Sequence, residues 1–431
     1  MKQRTDTKSN FSKRGWWVII YCLIALFLYT GTTVDGMNIT IQAFVDEYGW
    51  DYATLLGFGT VAGFAAIIGQ FFFGWVCSKK GPKFTMVLCM FLAGASYILY
   101  ANSWSPTVYV VALTLVTVFS SCYAYIGGGA LVANWFPKKK GLAMGYTTMG
   151  NNFASAFFVP MISWLIGALG LIWGMSVVGI MVFVLGLLGI LTIKDTPEEY
   201  GETPDNVPKE ELKNYFEVAE GETYVSQFTT AKLLRTKETW LVALVLGINF
   251  LVTVGIMSQL VQRNVNLGFE KNTAIALMTV CALIGVAGSY AWGWIDQKFG
   301  TKRSMVAFGI WYAIAIACNV SEIMPLVYLS VFLIGVSIGG AANFTASLTA
   351  SVFGRHDFKI AYALIYPLLN FVQQSNFMVN AFALSATGSL RGAYIFYIVL
   401  LLVNAFIVSR IDDRKYNKDY AAEEHPAQPA Q

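Results

Sequence analysis

The sequence predicts an all-α polytopic membrane protein with twelve transmembrane helices in two pseudo-symmetric six-helix bundles. Three observations lead there. Of 431 residues, 56% are hydrophobic and only 13% charged, whereas a soluble domain carries roughly 25% charged residues on its skin. The charges sit in short clusters between long uncharged stretches, with a mean hydropathy of +0.57. A pattern of glycines and lysines in the first half also recurs in the second. Together these exclude a soluble enzyme, a disulfide-rich secreted domain and a disordered chain.

A helix needs about 20 apolar residues to cross the hydrocarbon core. Twelve stretches qualify: 16–43, 52–77, 84–101, 107–135, 141–167, 170–193, 238–262, 272–296, 304–321, 325–352, 359–386 and 390–410. The first is too long for a signal peptide, lacks a small-residue cleavage site and is followed by eleven more, so it is read as a retained helix. The predicted organisation is a cytoplasmic arm (1–15), a six-helix bundle (16–193), a linker (194–237), a second bundle (238–410) and a tail (411–431). Within the linker, Lys209 to Ala219 reads as a short amphipathic surface helix.

Orientation follows from Lys and Arg. With both termini in the cytoplasm, 26 of the 29 basic residues lie on that side; Arg263, Lys271 and Arg391 do not. This satisfies the positive-inside rule for a protein of the cell membrane. Trp16 and Trp17 fit an interfacial aromatic belt. The six cysteines form no CxxC and read as buried thiols. His356 and His425 fall in a connector and the tail, so neither a metal site nor a cofactor is expected.

An ungapped shift of 219 residues aligns 36–83 with 255–302 at eleven identities of 48, among them Gly49/Gly268, Gly69/Gly288, Gly74/Gly293, Lys79/Lys298, Gly81/Gly300 and Lys83/Lys302. Two similar halves can rock about a central site and expose it to each side in turn.

The segments GWVCSKKGPK (74–83) and GWIDQKFGTKR (293–303) resemble the cytoplasmic loop motif of the major facilitator superfamily and its second-half copy. The motif residues are Gly74, Lys79, Gly81 and Lys83, then Gly293, Asp296, Lys298, Gly300 and Arg303. The pattern expects an acid four residues after the first Gly. Position 78 is Ser, and in the second copy Gln297 stands there with Asp296 one place early. The resemblance therefore implies a cytoplasmic gate that is weaker or differently wired. NWFPKKKGLAMG (134–145), FVDEYGWDYATL (44–55) and TTAKLLRTKETW (229–240) resemble the oxalate/formate antiporter and monocarboxylate porter branch. On the residues alone, Lys138–Lys140 read as a topology anchor rather than a substrate site.

A charge deep in a membrane costs a few kcal/mol on insertion scales and invites a functional explanation. Asp35 is the candidate. It shares one helical face with Asn38 and Gln42 at i, i+3, i+7, about 26 Å along the first span from Val18. Three readings stay open: a proton-coupling carboxylate, an outer gate with Arg263, or a wet carboxylate without a special role. Arg263 is proposed as a partner because spans one and seven lie together at the outer mouth in the superfamily fold.

Polar residues on other spans are the candidate solute contacts. Span eleven carries Tyr362, Tyr366, Asn370, Gln373, Phe377 and Asn380 along one face, with Pro367 offering a bend. Polar side chains there would be costly in lipid. Span ten adds Asn343, Ser347 and Ser351; span five adds Tyr146, Thr148, Asn152 and Ser155; span four adds Tyr123 and Tyr125; span seven adds Asn249 and Thr253. Some of these are expected to be helix–helix hydrogen bonds. Spans eight and eleven lack a basic residue in their middle thirds, where branch members that carry organic anions place one. The expected partner is therefore a neutral or weakly acidic small organic solute, together with protons, carried by a monomer with no nucleic-acid partner. Alternatives are an organic-anion antiporter, an efflux carrier, or a sensor that keeps the fold without transport. No HExxH, GxSxG or GxxxxGK[ST] motif is present, so neither an enzyme nor an ATP-driven pump is expected.

Overall fold

The computed structural model describes residues 10–136, 139–208, 228–413 and 415–416, which contain helices and no strand. The predicted surface helix at Lys209 to Ala219, together with Pro137, Lys138 and His425, lies outside the described residues. The chain divides into two compact units, Met1–Thr223 and Tyr224–Gln431.

Among the described residues, ten helices are long and apolar enough to cross a membrane, against the twelve expected, and two local features explain the difference. Spans five and six run together as Ala143–Thr192, but Gly170 (φ 78°, ψ 170°) breaks that helix into two. Span eleven follows a similar break at Gly354 and is itself interrupted at Gln374 and Ser375, before the helix Asn376–Thr387. With both features counted, the twelve spans of the sequence are present.

Within each unit the helices pair in the same order. Spans one and five, two and four, and three and six pack together in the first unit; seven and eleven, eight and ten, and nine and twelve do so in the second. A small residue sits at each crossing, where it lets the backbones approach. An added Cβ at Gly69 would stand 2.5 Å from Val118, and one at Gly288 would stand 2.3 Å from the carbonyl oxygen of Val336. The duplication is therefore visible in packing. It also explains the repeated loop glycines: Gly81 (φ 90°) and Gly300 (φ 83°) occupy a region that L side chains avoid, each just before the next helix.

The two tryptophans are not a simple belt. Trp17 Nε1 donates to Thr192 Oγ1 at 2.9 Å, and the Trp16 ring packs against Phe11 and Tyr146. They join the start of span one to spans six and five. Among the cysteines, Cys22, Cys89, Cys122 and Cys281 are buried, whereas Cys77 and Cys318 are only half-buried.

Candidate functional site

Asp35 closes a π-helical turn, Gly31–Asp35, in the middle of the first helix. A second π turn, Ala154–Phe158, interrupts span five, and a third, Cys122–Gly127, interrupts span four. Such turns widen a helix locally, expose backbone groups and recur at functional sites. The first two face each other. Ser155 Oγ donates to Asp35 Oδ2 at 2.5 Å, and an added Cβ at Gly31 would stand 2.4 Å from the Phe158 ring. One helical turn away, Thr30 Oγ1 lies 2.8 Å from Asn151 Oδ1, so spans one and five are joined twice.

Asp35 is 1% exposed, so it is not the wet carboxylate at an open mouth that the sequence left possible. Among the described residues of its own half, no Lys or Arg pairs with it; its side-chain partner is the Ser155 hydroxyl. A carboxylate held by one neutral donor out of water is poorly compensated.

The neighbours of Asp35 are arranged as follows. Asn38 is buried and donates through Nδ2 to the Asp35 carbonyl at 2.9 Å, whereas Gln42 reaches Asp46 Oδ1 at 2.7 Å. Tyr123 is fully buried, and Tyr125 packs edge-on against Tyr29 with centroids 5.0 Å apart. Tyr146 packs against Trp16 near the start of span one, about two helical turns before the π turn of span five. Asn152 is half-buried, and it is Asn151 that meets span one.

Arg263 is 2% exposed and held within its own half. It donates to Asn319 Oδ1 at 3.0 Å, to the Asn319 carbonyl at 3.3 Å and to Glu322 Oε1 at 3.0 Å, and lies over the Tyr394 ring. The two residues assigned to an outer gate thus each have a partner inside their own unit.

The span-eleven stripe splits. Tyr362 and Tyr366 pack with centroids 5.6 Å apart, Asn370 is buried, and Gln373 is half-buried. Phe371, Met378 and Phe382 take the exposed face instead. Beyond the interruption at 374 and 375, Asn380 is a helix tie: it donates to the Gly255 carbonyl and accepts from Tyr397, both at 2.8 Å. Asn249 is also a tie, accepting from Asn404 at 2.9 Å, and Asn343 donates to the Ser289 carbonyl at 2.7 Å. The buried Asn249 and Asn380 and the half-buried Asn343 thus each meet a partner on an adjacent helix, the outcome that polar groups away from water generally reach.

The loop motifs are wired through a residue the sequence reading missed. Ser78 bonds within its own helix, to the Trp75 carbonyl. The acid comes from Asp195, just past span six: its Oδ1 accepts the Lys83 N–H at 2.6 Å, while Lys83 Nζ donates to the Ile190 carbonyl. Burial pushes the Asp195 carboxyl above its ordinary range, partly countered by the Lys83 N–H. Lys79 is exposed. In the second copy Lys298 lies over the Trp294 ring, Asp296 has one buried carboxylate oxygen without a hydrogen bond, and Arg303 lines a cavity with Gly300.

The sequence and the fold resemble those of known proteins. The chain matches the Major Facilitator Superfamily over residues 21–373 and 239–431. It is 25% identical over 195 residues to a probable galactarate/D-glucarate transporter of Bacillus subtilis (strain 168), covering 42% of each chain. It is 24% identical over 294 residues to the oxalate:formate antiporter of Oxalobacter formigenes, covering 65% of this chain and 64% of that one. The crystal structure of a D-xylose-proton symporter has the same fold, with a TM-score of 0.70 at 11% identity, covering 93% of this chain and 99% of the other. The chain is a polytopic membrane transporter rather than an enzyme, and it belongs to the Major Facilitator Superfamily.

Proposed function

We propose that this transporter is a proton-coupled carrier of a small, neutral or weakly acidic organic solute in the cytoplasmic membrane, working by alternating access with both termini in the cytoplasm. The observation that carries the proposal is the buried Asp35–Ser155 pair between the π turns of spans one and five. Protonation of Asp35 turns a charge-assisted hydrogen bond into a neutral one of roughly half the strength. That loosens the link between two helices and ties proton occupancy to their packing. Tyr362, Tyr366 and Asn370 supply aromatic and amide contacts for the solute. The reading of a solute without a strong negative charge rests on the absence of Lys and Arg from the middle of spans eight and eleven.

A thermal-shift screen of monocarboxylates, aromatic acids, sugars and amines identifies a solute for reconstituted vesicles. An inward proton gradient should then drive its accumulation. Asp35→Asn should abolish that accumulation while leaving counterflow of labelled against unlabelled solute. Accumulation that survives a proton ionophore, or that persists in Asp35→Asn, would refute the coupling. Binding without any flux would point to a sensor instead.

A further inference from the structure

The two halves end alike. The helices ending at Thr192 and Arg410 are each followed by a buried isoleucine in extended conformation, Ile193 and Ile411. Two residues later each half has an aspartate, Asp195 or Asp413. In the first half the aspartate is seated. It accepts the Lys83 N–H, and its Oδ2 lies 2.4 Å from where a Cβ on Gly81 would stand. A carboxylate there satisfies a free donor at the start of helix Pro82–Ala101.

The second half has the same seat at Gly300–Arg303, before and within the first turn of helix Thr301–Val320, and it is open. Where a Cβ on Gly81 would meet Asp195, a Cβ on Gly300 would meet nothing within 4 Å. A cavity of about 710 Å³ occupies the place, bordered by Gly300, Lys302, Arg303, Ser409 and Asp413. Asp413 stands on its wall, and among the described residues its carboxylate has no hydrogen-bond partner.

The residues that follow differ between the halves. After Asp195 the chain folds back on its own helix end, with a capping box at Thr196 and Glu199, and Tyr200 donates to the Thr192 carbonyl. After Asp413 it is pulled toward other helices. The Asp413 carbonyl accepts from Ser351 at 3.2 Å, and the Tyr416 N–H donates to the Val352 carbonyl at 3.3 Å. Lys415 pairs with Glu238 at 2.6 Å, and the Tyr416 hydroxyl donates to the same carboxylate at 3.2 Å. The Tyr416 ring lies parallel to Phe353 and edge-on to Phe228. Two residues of chain can span at most about 7 Å, so the anchors on Lys415 and Tyr416 restrain where Asp413 can go.

We propose that Lys415 and Tyr416 form a strap that holds the second seat open, and that releasing it lets Asp413 close on Gly300–Lys302 as Asp195 closes on Gly81–Lys83. The strap is anchored on the first turn of span seven and the last turn of span ten. The seat belongs to the loop between spans eight and nine. Displacing the strap therefore exchanges one set of ties between cytoplasmic helix ends for another.

The test needs no substrate. In a full-length chain with its own cysteines replaced, the pair Lys302→Cys with Asp413→Cys is oxidised and its cross-linking rate compared with that of Lys83→Cys with Asp195→Cys. With the strap intact, the second-half pair should cross-link more slowly, on the order of tenfold, in proportion to the small fraction of closed seats. Adding Tyr416→Ala and Lys415→Ala should bring it close to the reference rate. Equal rates with the strap intact, or a slow rate that strap removal leaves unchanged, would overturn the proposal. Should those multiple variants not yield folded protein, Tyr416→Phe and Lys415→Ala in the otherwise native chain are followed by hydrogen exchange. Cutting the strap should slow exchange of the Lys302 amide, which Asp413 then caps, and unchanged or faster exchange there would count against it.

Discussion

Replacing Ser155 by Ala removes a single hydroxyl and tests whether Asp35 depends on it. Asp35 is 1% exposed and Ser155 5%, so water is poorly placed to replace the lost donor. Hydrogen bonds to charged groups contribute about 1.5–3 kcal/mol and neutral ones about 1 kcal/mol. Ser155→Ala should therefore destabilise the protein by about 2 kcal/mol in the native background but by only about 1 kcal/mol when residue 35 is Asn. The assay is a double-mutant cycle on denaturant unfolding in mixed micelles near neutral pH, with the four proteins measured side by side. A coupling of about 1 kcal/mol is expected, as for residues in direct contact. If Ser155→Ala costs the same in both backgrounds, the carboxylate is not what Ser155 holds, and the proposed link between protonation and packing of spans one and five falls with it.

Other substitutions test the remaining joints. Asp51 caps span two by accepting the Thr54 N–H and hydroxyl at 2.7 and 2.6 Å, and the Thr54 hydroxyl holds its carboxyl below the ordinary range. Asp51→Ala should cost about 1 kcal/mol. Because the pKa is lowered on folding, the native contribution is present above about pH 4 and fades as pH falls through the lowered value, which the pH dependence of thermal unfolding will report. Asp195 has the opposite sign. Burial raises its carboxyl, so the folded state holds the proton longer, and the contribution to stability declines as pH rises from about 4 through the raised value. That slope should vanish in Asp195→Asn. Gly31→Ala drives a methyl into the Phe158 ring and should cost about 1–3 kcal/mol, with partial rescue by Phe158→Leu in the same unfolding assay.

The spans were legible because hydropathy and length act locally: 20 apolar residues must cross a bilayer whatever surrounds them. The junctions near Gly170 and Gly354 were legible as well, and the positive φ of each glycine shows how the chain turns there. Interruptions inside a span were not. The π turns left no mark in composition, because an extra residue in a turn is chosen by what packs against it, here Phe158 and Ser155 of span five against Gly31 and Asp35 of span one.

By itself the sequence determined a duplicated, twelve-span membrane protein, its loop glycines, an acid within the first span at position 35 and the unequal distribution of Lys and Arg. These follow from transfer energies, backbone sterics and chain order, which do not depend on distant contacts. Which amides tie helices together was decided by the tertiary structure. Asn380 meets Gly255 and Tyr397, and Asn249 meets Asn404, because the interruption after Gln373 and the crossing of spans seven and twelve bring those partners within 3 Å. The missing loop acid was likewise supplied from 112 residues away by Asp195. A polar residue in a membrane must find a donor or acceptor, and only the packed chain decides which one is near.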